Sequence, residues 1–194
     1  MNVRPFAEAD APAVADLIAH DDERFYPGRP RVTGEDVVMF QQWSKEVWVW
    51  EEDRRVLASA SFGLNGDAAD VRGVVGERGR GIGTEILERG EAFGRAAGVE
   101  KIFAGASEPN AEARALFEGR GYREVRRFYE MAIELADEPA APVLPDGFVM
   151  DELRDGEQRA FYDAINEAFA EHWEWHPLPF EEWIEIRRDH HHDE

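Results

Sequence analysis

The chain has 194 residues, of which 22 are basic and 42 are acidic, and its formal net charge is −20. A hydrophobic fraction of 43% supports a packed core, whereas the charge disfavours nucleic-acid and anionic-membrane partners, because phosphate binding needs a basic face. No cysteine is present, which excludes disulfides and thiolate chemistry. With no apolar run of membrane-spanning length and no secretory signal, we expect a cytoplasmic protein.

Hydrophobic periodicity predicts an alternation of strands and helices in the order β-α-α-β-β-β-α-β-α-β(-β). Strands are predicted at 2–5, 47–50, 56–64, 70–75, 101–106 and from 121 to 135. Helices are predicted at 8–19, 37–43, 82–97 and from 107 to 119. The acidic residues Asp21, Asp22 and Glu23 are expected to open a loop.

Four local signals support these boundaries. Thr33 with Asp36 is typical of a capping box, and Gly98 fits a helix C-terminal cap. Asn65–Gly66 between apolar runs predicts a hairpin with positive φ at both turn positions. Ser107 is expected to cap the helix that follows it, with Pro109 in the first turn.

Residues 137–147 contain three prolines and predict a linker after a domain of residues 1–136. Beyond the linker, a strand at 148–153 and helices at 158–173 and 180–186 repeat the order seen in residues 2–43. Residues 137–194 carry a net charge of −13. In contrast, the stretch 72–84 has three arginines against one glutamate and forms a local positive island.

The segment RGRGIGTEIL, which begins at Arg78, has the pattern of a phosphate-binding loop. Amides at a helix start lack intrahelical acceptors, and glycines let a phosphate approach the backbone closely. A Walker A loop is not favoured because Thr84 follows Gly83 without a lysine. A dinucleotide fingerprint fails because Ile86 or Thr84 stands where its last glycine belongs.

Arg78-x-x-Gly81-x-Gly83 resembles the acetyl-CoA loop of the GCN5-related N-acetyltransferase (GNAT) family. A second segment, Asn110-x-x-Ala113-x-x-Leu116-Phe117-Glu118-x-x-Gly121-Tyr122, is similar to the family's later helix and following strand, and the resemblance covers about 135 residues. It implies an α/β (α+β) fold with a mixed, twisted, splayed sheet flanked by helices. It also implies acetyl-CoA as acyl donor, without a metal. The implied cofactor-binding residues are Val71, Gly73, Val74, Val75, Arg78, Gly79, Arg80, Gly81, Ile82, Gly83, Thr84, Asn110 and Phe117.

Two departures from the family concern proton transfer, so the groups that perform catalysis stay unassigned. Many members have a tyrosine where Phe117 stands, and some have a glutamate base where Gly105 stands. Glu108, Tyr122 and Tyr129 are candidate proton carriers, although a structural role is favoured for each. The acids at 21–23 are candidates for attracting a cationic amine acceptor, although a solvated charge run is favoured.

Two functions therefore stay open: N-acetyl transfer to a small amine, or an acetyl-CoA-binding module that supports a second domain. The tail after the linker resembles an incomplete second copy, as in tandem mycothiol synthase-like acetyltransferases, so the partners expected are a missing C-terminal domain or a homodimer. A finished subdomain is the alternative for the tail. His172 and His176, together with the histidines at 190–192, suggest a metal site, but a solvated helix end is favoured.

Overall fold

The computed structural model describes residues 1–131, 133–135, 137–154 and 156–189. The chain divides into two compact units, Met1–Tyr122 and Arg123–Glu194. Among the helices in the described ranges, none combines the length and the apolar character needed to cross a bilayer.

The first unit, every residue of which is described, contains five strands and four α-helices. The strands are β1 (Asn2–Pro5), β2 (Glu46–Glu52), β3 (Arg55–Asn65), β4 (Ala68–Val75) and β5 (Lys101–Ala104). The helices are α1 (Ala11–Phe25), α2 (Gly34–Gln41), α3 (Ile82–Ala97) and α4 (Ala111–Gly119), with a 3-10 turn at Glu8–Asp10.

The strands form one mixed sheet in the order β1-β2-β3-β4-β5. The first three pairings are antiparallel, and β4 pairs with β5 in parallel. A parallel pair needs a crossover connection, and α3 supplies it between β4 and β5. The expected α/β fold, with a mixed sheet flanked by helices, is confirmed.

The predicted hairpin between β3 and β4 is confirmed, but its turn is displaced by one residue. Asn65 pairs with Ala68 and ends β3, so Gly66 and Asp67 form the turn. Gly66 has φ of +59°, whereas Asn65 keeps negative φ, contrary to the expectation for that residue. Asn65 is the last residue of β3 rather than a turn residue, because its backbone pairs with Ala68 of β4.

Helices cover both faces of the sheet, because neighbouring residues of a strand point to opposite sides. In β2, Val49 packs with α1 and α2, whereas the adjacent Trp50 packs on the α3 side. Both side chains are fully buried. Helix α3 lies close to β4 at Gly90, where a Cβ would come within 2.4 Å of Val71 Cγ2. The glycine therefore allows the helix to approach the strand.

Several predicted boundaries in the first unit are shifted in the structure: α1 begins at Ala11 rather than at residue 8, α2 spans Gly34–Gln41 rather than 37–43, and β5 ends at Ala104 rather than at residue 106. Two further errors concern helix ends. The acidic residues at 21–23 continue α1 rather than opening a loop, and the helix ends at Phe25, just before Pro27. Ser107 does not cap α4, because Asn110 N–H bonds to the Ser107 carbonyl in a turn. The cap is Asn110, whose Oδ1 accepts a hydrogen bond from the Ala113 N–H at 3.1 Å. The capping box of Thr33 with Asp36 and the cap at Gly98 are confirmed.

The described part of the second unit contains α5 (Gln158–Phe169) and α6 (Phe180–Asp189). Both predicted tail helices are therefore present, although α5 ends at Phe169 rather than at residue 173. An aromatic contact joins them: the Tyr162 ring centre lies 5.3 Å from that of Phe180 and 5.5 Å from that of Trp183. The strand predicted at 148–153 is absent, since these described residues are irregular.

The strand predicted from 121 to 135 is also wrong for the residues that the structure describes there, which are irregular. Alternating apolar side chains such as Met131 and Ile133 are strongly exposed, at 90% and 81%. Alternation produces a strand only when a neighbouring strand supplies hydrogen bonds and a face on which to bury the side chains. The described part of the second unit contains no strand that could supply either.

Candidate functional site

The glycine loop joins β4 to α3 and exposes backbone at the start of the helix. Gly79 and Gly81 have φ of +74° and +77°, and no atom lies within 4 Å of the position a Cβ would occupy on either. The helix's first bond runs from Glu85 N–H to the Gly81 carbonyl at 3.0 Å. The amides of residues 82–84 therefore have no intrahelical acceptor, and the helix dipole adds positive potential beside them.

The loop forms one wall of a cleft of about 400 Å³ in the first unit. The other walls come from the second half of β4, the end of β5 and the first turns of α4. The structure brings together around this cleft all the residues that the sequence predicted for cofactor binding: Val71, Gly73, Val74, Val75, Arg78, Gly79, Arg80, Gly81, Ile82, Gly83, Thr84, Asn110 and Phe117.

The cleft exists because two parallel strands diverge. β4 and β5 pair only from Ala68 with Lys101 to Val71 with Ala104. β4 continues to Val75 while paired with β3 alone. The backbone groups at 72–75 that face away from β3 therefore lack ladder partners and are available to a ligand.

The loop arginines are matched by carboxylates from distant elements. Arg78 Nη1 donates to Glu112 at 2.5 Å, and its Nη2 donates to Asp21 at 3.4 Å. Arg80 donates to Glu77 and to Glu52, each at 2.9 Å. The predicted positive island is therefore neutralised in the fold, because carboxylates of α1, α4 and β2, which lie outside residues 72–84, pair with its arginines.

Sequence reasoning missed two of these carboxylates as parts of the site, Glu112 and Glu52, and misplaced Asp21 in a loop. Burial raises the pKa of Asp21, which lines the cleft on α1. Hydrogen bonds from Arg80 lower the pKa of Glu52. The position of Glu112 two residues after the capping Asn110 was the one available signal, since acids are favoured in a first helical turn.

The candidate proton carriers do not line the cleft. The hydroxyl of Tyr122 donates to Glu91 at 3.4 Å, and burial together with that carboxylate raises its pKa. Its ring packs on Phe117, with centres 5.9 Å apart. Glu108 is exposed, and Tyr129 belongs to the second unit.

Both positions where the sequence departs from the family pattern line the cleft. Gly105 has no atom within 4 Å of a potential Cβ, so a larger side chain would have room there. Phe117 contributes only an apolar ring. Neither residue can accept or donate a proton, so chemistry at this wall relies on other groups.

The predicted pair His172 and His176 lies after the end of α5 and does not share a helix face. The His172 ring packs on Phe169, with centres 5.6 Å apart, and His176 Nε2 lies 3.5 Å from Glu174. The histidines at 190–192 lie outside the described residues.

Residues 14–122, which are more than half of the chain, match the model of the acetyltransferase (GNAT) family. The chain therefore belongs to the GNAT acetyltransferase family. None of the curated proteins matches it.

Solved structures agree with this assignment. A GCN5-related N-acetyltransferase from Sphaerobacter thermophilus is 29% identical with a TM-score of 0.72, and the match covers 99% of this chain and 64% of that one. The present chain thus spans less than two thirds of that relative. A ribosomal-protein-alanine N-acetyltransferase from Brucella melitensis is 25% identical (TM-score 0.53; 65% of this chain, 86% of that one). A putative acetyltransferase from Salmonella typhimurium, solved with its cofactor acetyl-CoA, is 22% identical (TM-score 0.52; 62% and 78%) and shares the fold.

Proposed function

We propose that the chain binds acetyl-CoA in the cleft of its first unit and transfers the acetyl group to a small amine. The observation that carries this proposal is the set of unpaired amides at 82–84, which begin α3 beside the diverging strands. A diphosphate fits such a helix start, because backbone N–H groups and the dipole both favour an anion. Family membership supports the same donor.

Within this proposal, the donor's diphosphate is held by residues 78–84, and its pantetheine arm bonds the free backbone edge of β4 at 71–75. Asn110 and Phe117, on the opposite wall, border the same cleft. Bound acetyl-CoA supplies the acetyl group as an activated thioester. The chain's own residues orient it, and the unpaired amides of β4 are suited to polarising an acyl carbonyl.

The cleft has no titratable group at the two positions where the family places its proton-transfer residues, and we therefore infer that acetyl transfer is slow. Gly105 and Phe117 occupy the cleft without a titratable group. Loss of a positioned acid or base typically lowers a rate by ~10²–10⁴-fold. The same observation favours a second candidate function, an acetyl-CoA-binding module without chemistry that supports another acetyltransferase domain.

Isothermal titration with acetyl-CoA tests the binding site. Gly81→Glu puts bulk and negative charge at the start of α3, and we expect it to abolish binding. Gly98→Glu is the matched control, because Gly98 also has positive φ and open space but lies at the far end of α3. Equal affinity of Gly81→Glu and wild type would contradict the proposal. Thiol release across an amine panel then separates the transferase from the binding module.

We also propose that residues 1–136 form the acetyl-CoA domain, 137–147 a linker, and 148–194 the first part of a second acetyltransferase copy. The longer Sphaerobacter relative supports this, since more than a third of its length is outside the match. Helices α5 and α6 follow each other as α1 and α2 do. A homodimer is the alternative way to complete the tail. The net charge of −20 supports a small amine as acceptor rather than nucleic acid or an anionic membrane, and we propose a cytoplasmic location for the protein.

A further inference from the structure

Arg78 joins α1 and α4, and each of these helices contributes to the lining of the cleft. Its guanidinium donates to Asp21 on α1 and to Glu112 on α4, at 3.4 and 2.5 Å. It also lies over the ring of Phe25, 5.2 Å from the ring centre. The side chain is 25% exposed, against 63% for Glu112. The arginine is therefore held in place by three groups, and two of them are anions.

We infer that Glu112 is an affinity-determining residue of the cleft, because its carboxylate competes with a phosphate ligand for Arg78. This inference rests on the proposed function. Glu112 and Asp21 accept hydrogen bonds from Nη1 and Nη2 of Arg78, so a phosphate that binds across these two nitrogens meets both carboxylates there. Arg80 offers no alternative, since its guanidinium is shared by Glu52 and Glu77. A phosphate that binds at Nη1 and Nη2 of Arg78 thus competes with the two carboxylates already there.

Glu112 is the carboxylate whose removal gives the clearer result. It is exposed, so its neutral form leaves no buried charge behind. Asp21 is more enclosed and lies inside α1, where substitution also changes the helix. Phe25 keeps the guanidinium beside the cleft after Glu112 is neutralised, because a cation is attracted to an aromatic face. Arg78 then becomes available to a phosphate without losing its position.

The experiment compares Glu112→Gln with Glu118→Gln in the full chain. Glu118 is also an exposed glutamate of α4, and no ion pair is formed by it within the described residues, so the control makes the same change in net charge. The Kd of acetyl-CoA is measured by titration calorimetry. Exposed ion pairs are weak, and we expect Glu112→Gln to tighten binding about two- to fivefold relative to Glu118→Gln. Equal or weaker binding by Glu112→Gln overturns the inference.

A double-mutant cycle shows whether the effect passes through Arg78. In an Arg78→Gln background, Glu112→Gln should no longer tighten binding, because the competed cation is gone. The same gain in that background would show a general charge effect and would contradict the competition. Thermal melts of each variant confirm that the comparison concerns folded protein.

Inorganic pyrophosphate, titrated in parallel, separates this inference from the proposed function. It presents a diphosphate without the thioester or the pantetheine arm. If acetyl-CoA does not bind but Glu112→Gln still tightens pyrophosphate, the proposed donor is wrong and the competition stands. If acetyl-CoA binds and Glu112→Gln matches Glu118→Gln with both ligands, the competition is wrong and the donor stands. Binding of neither ligand by any variant refutes both.

Discussion

The contact between α3 and β4 gives the most direct test of the fold that creates the cleft. At Gly90 an added Cβ would lie 2.4 Å from Val71 Cγ2 and 3.1 Å from Cγ1. Val71 is only 4% exposed, and a β-branched side chain in a strand has few other rotamers to adopt. Gly90→Ala therefore requires the helix and the strand to separate.

Two opposing effects determine how much Gly90→Ala changes the free energy of unfolding. Alanine is favoured over glycine inside a helix by about 1 kcal/mol. Inserting a methyl group into a packed core destabilises by about 1–3 kcal/mol, and a contact as short as 2.4 Å belongs at the upper end. We expect a net loss of about 1–2 kcal/mol. For a chain of this size that corresponds to a fall in Tm of roughly 2–8 °C.

Urea denaturation followed by circular dichroism, with calorimetric melting, measures the change. Gly119→Ala in α4 is the control, because no atom lies within 4 Å of its potential Cβ, and we expect it to be neutral or stabilising. Val71→Ala should lower the free energy of unfolding less in the Gly90→Ala background than it does alone, because removing the Val71 methyl groups relieves the clash with the new Cβ. A Gly90→Ala protein as stable as wild type would refute the packing argument.

Two further predictions concern stability in the two units. Arg4 donates two hydrogen bonds to Asp10, at 2.7 and 2.8 Å, and they lower the pKa of this carboxyl in the folded state. The bonds therefore stabilise the fold above the unfolded pKa, near pH 4, and the contribution disappears as pH falls through the lower folded value. Asp10→Asn should lower the free energy of unfolding by about 1–3 kcal/mol at pH 7, and this loss should shrink as the pH falls below about 4. Urea denaturation measures it, and a pH-independent difference would contradict this cause. In the second unit, α5 has no buried residue whereas α3 has five, so amides of Gln158–Phe169 should exchange at least about tenfold faster than those of Ile82–Ala97; equal protection would indicate a finished subdomain.

The elements that sequence predicted well are those whose signals are local. Helix α3 was predicted with the bounds that the structure has, because its apolar stripe, its glycine start and the cap at Gly98 all lie within the segment. The residues predicted to bind the cofactor all lie around one cleft for the same reason, since the loop and the α4 motif are each continuous in the chain. Local periodicity and capping chemistry carry this information without knowledge of the tertiary fold.

Two of the errors concern features that residues distant in the sequence decide, and the third concerns a local choice between two helix caps. The acids at 21–23 suggested a solvated loop, but Asp22 bonds to Arg29 and Asp21 to Arg78, and the helix continues through them. The strand expected up to residue 135 has the right alternation, yet alternation does not supply the neighbouring edge that a strand needs. Ser107 and Asn110 are both residue types that cap helices well, but residues 107–110 form a turn, so α4 begins after Asn110.

The charges around the loop determine which of its groups can attract an anion in this acidic chain. Both loop arginines are matched by carboxylates, so the side chains contribute little net positive charge at the cleft. The amides at 82–84 are different, because their dipoles are fixed by the helix and no carboxylate of the described residues accepts a hydrogen bond from them. In a chain of net charge −20, backbone donors are therefore the part of the loop that an abundance of acidic side chains does not weaken. Glycine spacing, which sets the direction of those donors, is then a better guide to the ligand than the arginine count.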